Sequence, residues 1–373
     1  MQVVRIQSDM NQDPSFVLLD NTGQPVSIVS AFLCYLSSRN CSPNTIRSYA
    51  YDLLHFMTFL HEHRLSYEAF TPATSLSFLE YLGHVPSRRR VQQGNESGQF
   101  LSAPTINRIF ATVSSFYEYL IISEQFTQRE NPIHMVEDHA TARVSERHRP
   151  FMGHASRQRP MRRIVHVKTA ERLPRPMTEE QITALLHSLT CGRDRAMLWL
   201  MLQGGLRPGE VLNLHLDDIQ YGRRRVIIRY RTDHPRGVRT KSRRERMVDL
   251  REPEALQALS NYVMYERPRE AESSLVFLVG GNGKHRCEPL SYHALVKLFA
   301  RHCQRLGIRE PWVTPHALRH THATRMWEGG MRELSLQKRL GHASPESTRL
   351  YTQVSDETVV MEYQRAIGQE DQN

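Results

Sequence analysis

A chain of 373 residues is long enough for two domains, each with its own core, and its formal charge of +10 and pI of about 9.5 favour a polyanionic partner, nucleic acid first. Five cysteines, Cys34, Cys41, Cys191, Cys287 and Cys303, are odd in number and show no C-x-x-C spacing, which argues against a disulfide framework or a structural zinc site and fits a reducing cytoplasm. The opening residues carry no apolar signal core, and the longest apolar stretch, from Ala196 to Leu202, is far too short to span a bilayer, so a secreted or membrane protein is not expected.

Residues 1–27 form an N-terminal extension ahead of a helical domain predicted over 28–139. Ser42-Pro43-Asn44 is a capping sequence, and Ile46, Tyr49, Leu53, Phe56, Met57 and Leu60 then recur at helical spacing. A second helix is predicted from Ala103-Pro104, with Ile106, Ile109, Phe110, Val113, Tyr117 and Leu120 on one face. Between them, Ser87 to Leu101, with Arg88-Arg89-Arg90 and a Gly- and Asn-containing run, reads as a long exposed loop that either touches DNA or is a solvated insertion.

From 140 to 174 periodicity is lost in a stretch rich in arginine and histidine. It reads as a basic linker, with a charge that could track a nucleic-acid backbone. The second domain spans 175–373. Thr178 and Gln181 form a capping box, a helix follows from Arg193 through Met201, and two strands are predicted at 224–230 and 246–250. Gly280-Gly-Asn-Gly-Lys284 lacks the spacing of a phosphate-binding loop and reads as a hairpin turn. Ser291 caps a helix to about Gln304. The expected fold class is α+β, mostly helical with a small antiparallel sheet.

Three runs carry most of the chemistry. In Arg207-Pro208-Gly209-Glu210, the arginine stands before a helix-opening Pro-Gly, where its guanidinium can fork onto phosphate oxygens while Glu210 buttresses it. In Thr-Pro315-His316-Ala-Leu-Arg319, Pro315 opens a helix, so His316 and Arg319 share one face of its first turn. In Leu-Gly341-His342-Ala-Ser344-Pro345, Gly341 ends one helix and Ser344 opens a short one. Tyr351 follows about two turns later, where it can be presented on a mobile segment. His316, His320 and His322 could suggest a metal cluster, but Ala317 replaces the glutamate of H-E-x-x-H and no carboxylate or cysteine lies beside them, so no metal is expected.

Taken together, Arg207-x-x-Glu210, His316-x-x-Arg319, Leu-Gly-His342 and the tyrosine nine residues later resemble the tyrosine recombinases, or phage-type integrases. The resemblance covers the second domain. Ser-Pro-Asn-Thr-Ile-Arg-Ser-Tyr, 42–49, is also similar to the opening of the family's SAM-like, core-binding DNA-binding domain, and Val17 to Val26 looks like integrase-type transposases of site-specific transposons. The likeness implies catalytic residues Arg207, Lys241, His316, Arg319, His342 and Tyr351; His322 stands where the family more often has an aromatic or small residue. It further implies a bacterial, nucleoid-associated enzyme acting on double-stranded recombination sites as a tetrameric synapse, with accessory recombination proteins as further partners. Residues after Tyr351, with Val359, Val360, Met361, Tyr363 and Ile367, would form a helix docking on a neighbouring protomer. Arg47, Arg108, Arg243 and Arg244 are candidates for contacting DNA.

The chemistry accounts for these residue types. In-line attack on a phosphodiester builds negative charge on two non-bridging oxygens, which rigid arginines stabilise without any cofactor. A phenol of pKa about 10 needs a base, for which His316 is the candidate, while His342 would donate a hydrogen bond to the phosphate. The departing 5′-oxygen needs a proton, which a lysine can release and an arginine cannot. Only five lysines occur among 49 basic residues, and Lys241 is the single one in 236–246, so it is the expected general acid. The product would be a 3′-phosphotyrosyl link, rejoined without ATP. The alternatives are a type IB topoisomerase-like relaxing enzyme and a DNA-binding accessory protein without catalysis.

Overall fold

The computed structural model describes residues 1–6, 16–87, 100–128, 130–137, 161–169, 175–240, 242 and 244–342. The chain divides into two compact units, Met1–Glu171 and Arg172–Asn373. The 88–99 segment, residues 138–160 and 170–174 of the basic stretch, Lys241, Arg243, Tyr351 and the tail lie outside the described residues.

In the first unit, Ser42 accepts the Thr45 N–H at 3.1 Å, and Pro43 at the first helical position opens α2 (Pro43–Glu62). Its stripe of Ile46, Leu53, Phe56, Met57 and Leu60 is buried, as is the predicted stripe of α4 (Ala103–Ile122). With α1 (Ser27–Ser38) and α3 (Pro72–His84) these helices enclose an aromatic core. Phe56 meets Phe70 and Phe78 edge-on at 5.0 and 5.5 Å, the arrangement that ring quadrupoles favour.

Two features go beyond the expected helices. The N-terminal extension contains an antiparallel hairpin, β1 (Gln2–Arg5) with β2 (Phe16–Leu19), whose Val17 and Leu18 are buried. Part of the basic stretch is not linker: β3 (Met135–Glu137) pairs with β4 (Met161–Arg163), Val165 is buried, and Asn107 holds Val167 through both backbone groups at 2.9 Å. Strands of three or four residues are too short for periodicity to register, and Asn107 is what fixes the second one's continuation.

The second unit is organised around α6 (Gly192–Gly204). Nine of its residues are buried, including 196–198 and 200–202, so the longest apolar run of the chain is a core helix, with Arg195 exposed and Trp199 partly buried on its one open side. Helix α5 (Glu179–His187) starts with the predicted Thr178/Gln181 capping box. Helix α7 (Pro208–Leu212) follows α6, and an antiparallel sheet comprises β5 (Ile219–Gln220), β6 (Arg225–Ile228) and β7 (Arg246–Asp249), in the order β5-β6-β7. Then come α8 (Pro253–Asn261), α9 (Tyr292–Arg305), α10 (Pro315–Glu328) and α11 (Glu333–Leu340). The 280–284 run lies in a turn closed by Val279 N–H to Glu288 O and Cys287 N–H to Val279 O, as read from its glycines. Among the described residues no helix is long and apolar enough to cross a membrane.

One buried ion pair gives the first unit a pH dependence. Asp52 of α2, 1% exposed, receives a fork from Arg108 at 2.9 and 3.0 Å and the Thr112 hydroxyl at 2.8 Å, yet burial raises its pKa to about 6 against the pull of Arg108. The folded form therefore holds its proton more tightly than the unfolded chain, and stability present below pH 4 declines as pH rises through about 6. The span is on the order of 3 kcal/mol. We expect hydrogen-exchange protection of α2 and α4 to fall between pH 4.5 and 7.5, and Asp52→Asn to flatten that difference; an unchanged slope in the variant would assign it elsewhere.

Candidate active site

The site is assembled where α6, α7, β7, α10 and α11 meet. Helix α6 stops at Gly205, whose φ of +61° is left-handed and where a Cβ would lie 2.4 Å from the His322 ring, so only glycine makes this turn. Three residues later Pro208 opens α7 with Arg207 at its cap. Glu210 reaches back to accept the Arg207 backbone N–H at 2.8 Å, which leaves the Arg207 side chain projecting from the helix start.

Glu210 is the hub. Its side chain is fully buried and touches three guanidinium groups. Arg246 forks onto it at 2.9 and 2.7 Å, Arg207 donates Nη1 at 2.9 Å, and Arg319 Nη1 stands 3.8 Å away. Burial opposes ionisation, but the Arg246 hydrogen bonds and the charges of Arg246, Arg207 and Arg319 outweigh it and hold the pKa at about 2. The carboxylate is thus ionised at any working pH, and its contribution is lost only as pH falls from about 4.5 towards 2.

The same arginines satisfy the last carbonyls of α11, which no helical N–H can reach. Arg246 Nε donates to Arg339 O at 2.9 Å, Arg319 Nη2 and Arg207 Nη1 both donate to Leu340 O at 2.7 and 3.3 Å, and Arg207 Nη2 donates to Gly341 O at 3.2 Å. Arg319 also reaches Gly205 O at 2.5 Å. Cations at the negative end of a helix are favoured, so α11 and Glu210 together hold three like charges side by side. Gly341, with φ of +64°, carries no Cβ for Arg246 Nη1 to meet at 2.7 Å.

His342 follows directly. Burial, then the nearby charges of Arg319, Arg207 and Arg246, lower its pKa to about 3, so the ring is neutral and offers one N–H donor. His316 lies exposed on the first turn of α10, whereas Arg319, one turn on, is buried. His320 is also kept neutral, at about 4, by burial and then by His316 and Arg319. His322 is committed on both ring nitrogens: Nδ1–H donates to Leu202 O at 2.8 Å, and Nε2 accepts from Arg339 Nε at 3.0 Å. Burial, reinforced by Arg339, holds it at about 3. It ties α11 to the end of α6 and has no lone pair left for a metal.

The structure therefore brings Arg207, Glu210, Arg319 and His342 together and puts His316 one turn before Arg319; Lys241 and Tyr351 lie outside the described residues. Arg246 and Arg339 were missed as members of the site. For Arg246 a signal existed, since alternation along β7 puts it on the inner face with buried Val248 while Met247 is 63% exposed. Arg339 offered none, because a helical arginine directly after Lys338 reads as a surface residue. Of the candidates for touching DNA, Arg47 is exposed, its guanidinium 5.7 Å from the Tyr51 ring centre, and Arg244 is exposed. Arg108 is half exposed but anchored on Asp52, which fixes the direction in which it projects.

Residues 175–358 match the model of the phage integrase family, and residues 29–124 match that of the phage integrase N-terminal SAM-like domain. Transposase A from transposon Tn554 of Staphylococcus aureus is 28% identical over 366 residues, covering 98% of either chain. Tyrosine recombinase XerC of Chlamydia caviae is 28% identical over 357 residues, 88% of this chain and 95% of its own. Among solved structures, the Tn1549 transposon integrase in complex with transposon right end DNA aligns with a TM-score of 0.62 at 17% identity, covering 91% of this chain and 99% of that one. XerH site-specific recombinase bound to its difH substrate gives 0.58 at 19% identity, over 91% and 85%. The arginine cluster, the two-domain order and these matches lead to one conclusion: the chain belongs to the phage integrase family and is a tyrosine recombinase.

Proposed function

We propose that this recombinase moves a mobile DNA element by transposition or integration, cleaving each strand through a 3′-phosphotyrosyl bond to Tyr351. The observation that carries the chemistry is the convergence of Arg207 and Arg319 on the Leu340 carbonyl beside His342. Three arginines against one carboxylate leave two positive charges in a largely buried site, and the transition state of phosphodiester cleavage carries about two negative charges. The cluster is held before substrate arrives, so little reorganisation is needed when that charge develops. The similarity of the whole chain to Transposase A from transposon Tn554 supports the mobile-element role.

In this reading the Tyr351 oxygen attacks phosphorus while His316 takes the phenolic proton. The bond from phosphorus to the 5′-oxygen breaks, and Lys241 supplies the proton that the leaving oxygen needs. Arg207 and Arg319 bind the non-bridging oxygens, and neutral His342 donates one further hydrogen bond. Glu210 and Arg246 touch no substrate; they hold Arg207 and Arg319. Rejoining is the reverse with a different 5′-hydroxyl, so the ester's energy is kept and no nucleotide is consumed. The residues after Tyr351 would couple protomers in a synaptic assembly of four on two recombination sites.

Tyr351→Phe should bind site DNA normally and form no covalent complex on a nicked suicide substrate resolved by denaturing gel; an adduct surviving in the variant would remove Tyr351 as nucleophile. Cleavage should be indifferent to EDTA, because arginines occupy the place of a metal clamp, and activity lost to chelation and restored by Mg²⁺ or Zn²⁺ would count against the scheme. Glu210→Gln should slow covalent complex formation by roughly a hundredfold through misplaced arginines, while DNA affinity changes by no more than about threefold. Measured at pH 5.5 and 8.5, the ratio of variant to wild type should be constant, since the carboxylate is ionised throughout; a pH-dependent ratio would show that Glu210 itself titrates.

A further inference from the structure

Lys241 falls in the connection between β6 and β7, and the chain leading up to it is pinned at two points to the helix that presents Arg207. The outgoing limb is fixed by Asp218, whose side chain is fully buried and receives a two-toothed fork from Arg231, Nη1 to Oδ2 at 2.5 Å and Nη2 to Oδ1 at 2.9 Å. Asp218 Oδ2 also accepts the His215 N–H at 3.0 Å. Arg231 Nη1 reaches further, to Asn213 O at 3.3 Å, and Asn213 caps the end of α7 and donates Nδ2 to Gly209 O at 2.9 Å. The returning limb comes back to the same place. Thr240 N–H donates to Arg231 O at 3.4 Å, Val238 is buried, and the Arg239 carbonyl lies 3.0 Å from where a Cβ on Gly209 would stand.

Arg229 Nη1 also approaches this carboxylate, 3.3 Å from Asp218 Oδ1 and 3.6 Å from exposed Asp217, but its side chain is 37% exposed and makes no fork, so it contributes less than Arg231. The Asp218 and Arg231 side chains are 0% and 15% exposed, so each gives up hydration, and breaking one leaves the other charged and buried. Such a pair makes sense where a position must be held, and what this one holds is the stretch ending at Thr240, directly before Lys241.

We propose that Asp218 and Arg231 are positioning residues for the cleavage step, locking the β6 to β7 connection onto α7 so that Lys241 meets the departing 5′-oxygen while Arg207 holds the phosphate. The inference rests on Lys241 being the general acid, and the test separates the two claims. Covalent complex formation is timed on a nicked suicide duplex with an ordinary 5′-oxygen and on one with a 5′-bridging sulfur, which leaves without a proton. Arg231→Gln should be slowed at least about tenfold on oxygen and restored to within about threefold of wild type on sulfur, with Arg231→Lys intermediate because it keeps the charge but not the fork. Asp218→Asn, read the same way, covers the case in which Arg231→Gln alone disturbs folding, and gel shift and circular dichroism accompany each variant. Equal slowing on both substrates, no slowing on oxygen, or loss of DNA binding in both variants would overturn the positioning role. Failure of sulfur to rescue Lys241→Ala would instead remove Lys241 as the acid.

Discussion

Three arginines cannot stand side by side in a water-poor pocket unless something negative is built into its floor. Here that counter-charge has two parts, the ionised carboxylate of Glu210 and the last carbonyls of α11, and nearly everything else in the catalytic unit serves to bring them together. Glu210 comes from the helix after the core helix, and the carbonyls come from an element well over a hundred residues later. Arg246 from β7 spans both, gripping the carboxylate with two nitrogens and the Arg339 carbonyl with the third. Removing one partner from such a set leaves buried charge uncompensated, which typically costs 3–5 kcal/mol, more than almost any exposed ion pair contributes.

The burial of α6 explains why the pocket can be rigid. Because residues 200–204 of that helix are all buried, its C-terminal turn is a fixed reference, and Gly205 there offers its carbonyl to Arg319 while leaving room for His322. His322 then serves as a neutral bridge, donating to the end of α6 and accepting from Arg339. Charging it would put a donor against a donor, and its depressed pKa keeps that from happening at working pH. The unusual residue in the family pattern is accommodated by giving it a structural hydrogen-bonding task.

The first unit obeys a different logic. Its core is aromatic and interlocked, and a buried charge pair, Asp52 with Arg108, sits between α2 and α4, the two longest described helices, with the guanidinium half in water. That arrangement aims a cation outward without letting it wander. The hairpin at the N-terminus and the short strand pair around 135–137 and 161–163 close the unit at places where the sequence shows no amphipathic repeat.

Some of this was readable from the residues alone. Capping boxes, Pro at helix starts, 3.6-residue stripes and glycine stops are local signals, so α2, α4, α5, α9 and α10 were legible to within a few residues, and alternation gave β6 and β7. The runs holding Arg207, Glu210, Arg319 and His342 could likewise be singled out by residue type and spacing, and the fold brings these four together. What spacing could not convey was the partner of each charge. Whether an arginine faces water, a carboxylate or a carbonyl depends on elements far away in sequence, so the partners of Arg246 and Arg339 and the Asp218 to Arg231 fork emerged only when the chain was folded. Local sequence determined which residues are chemically competent; tertiary structure decided which of them are held still, because immobilising a charge takes counter-charges that no short window of sequence contains.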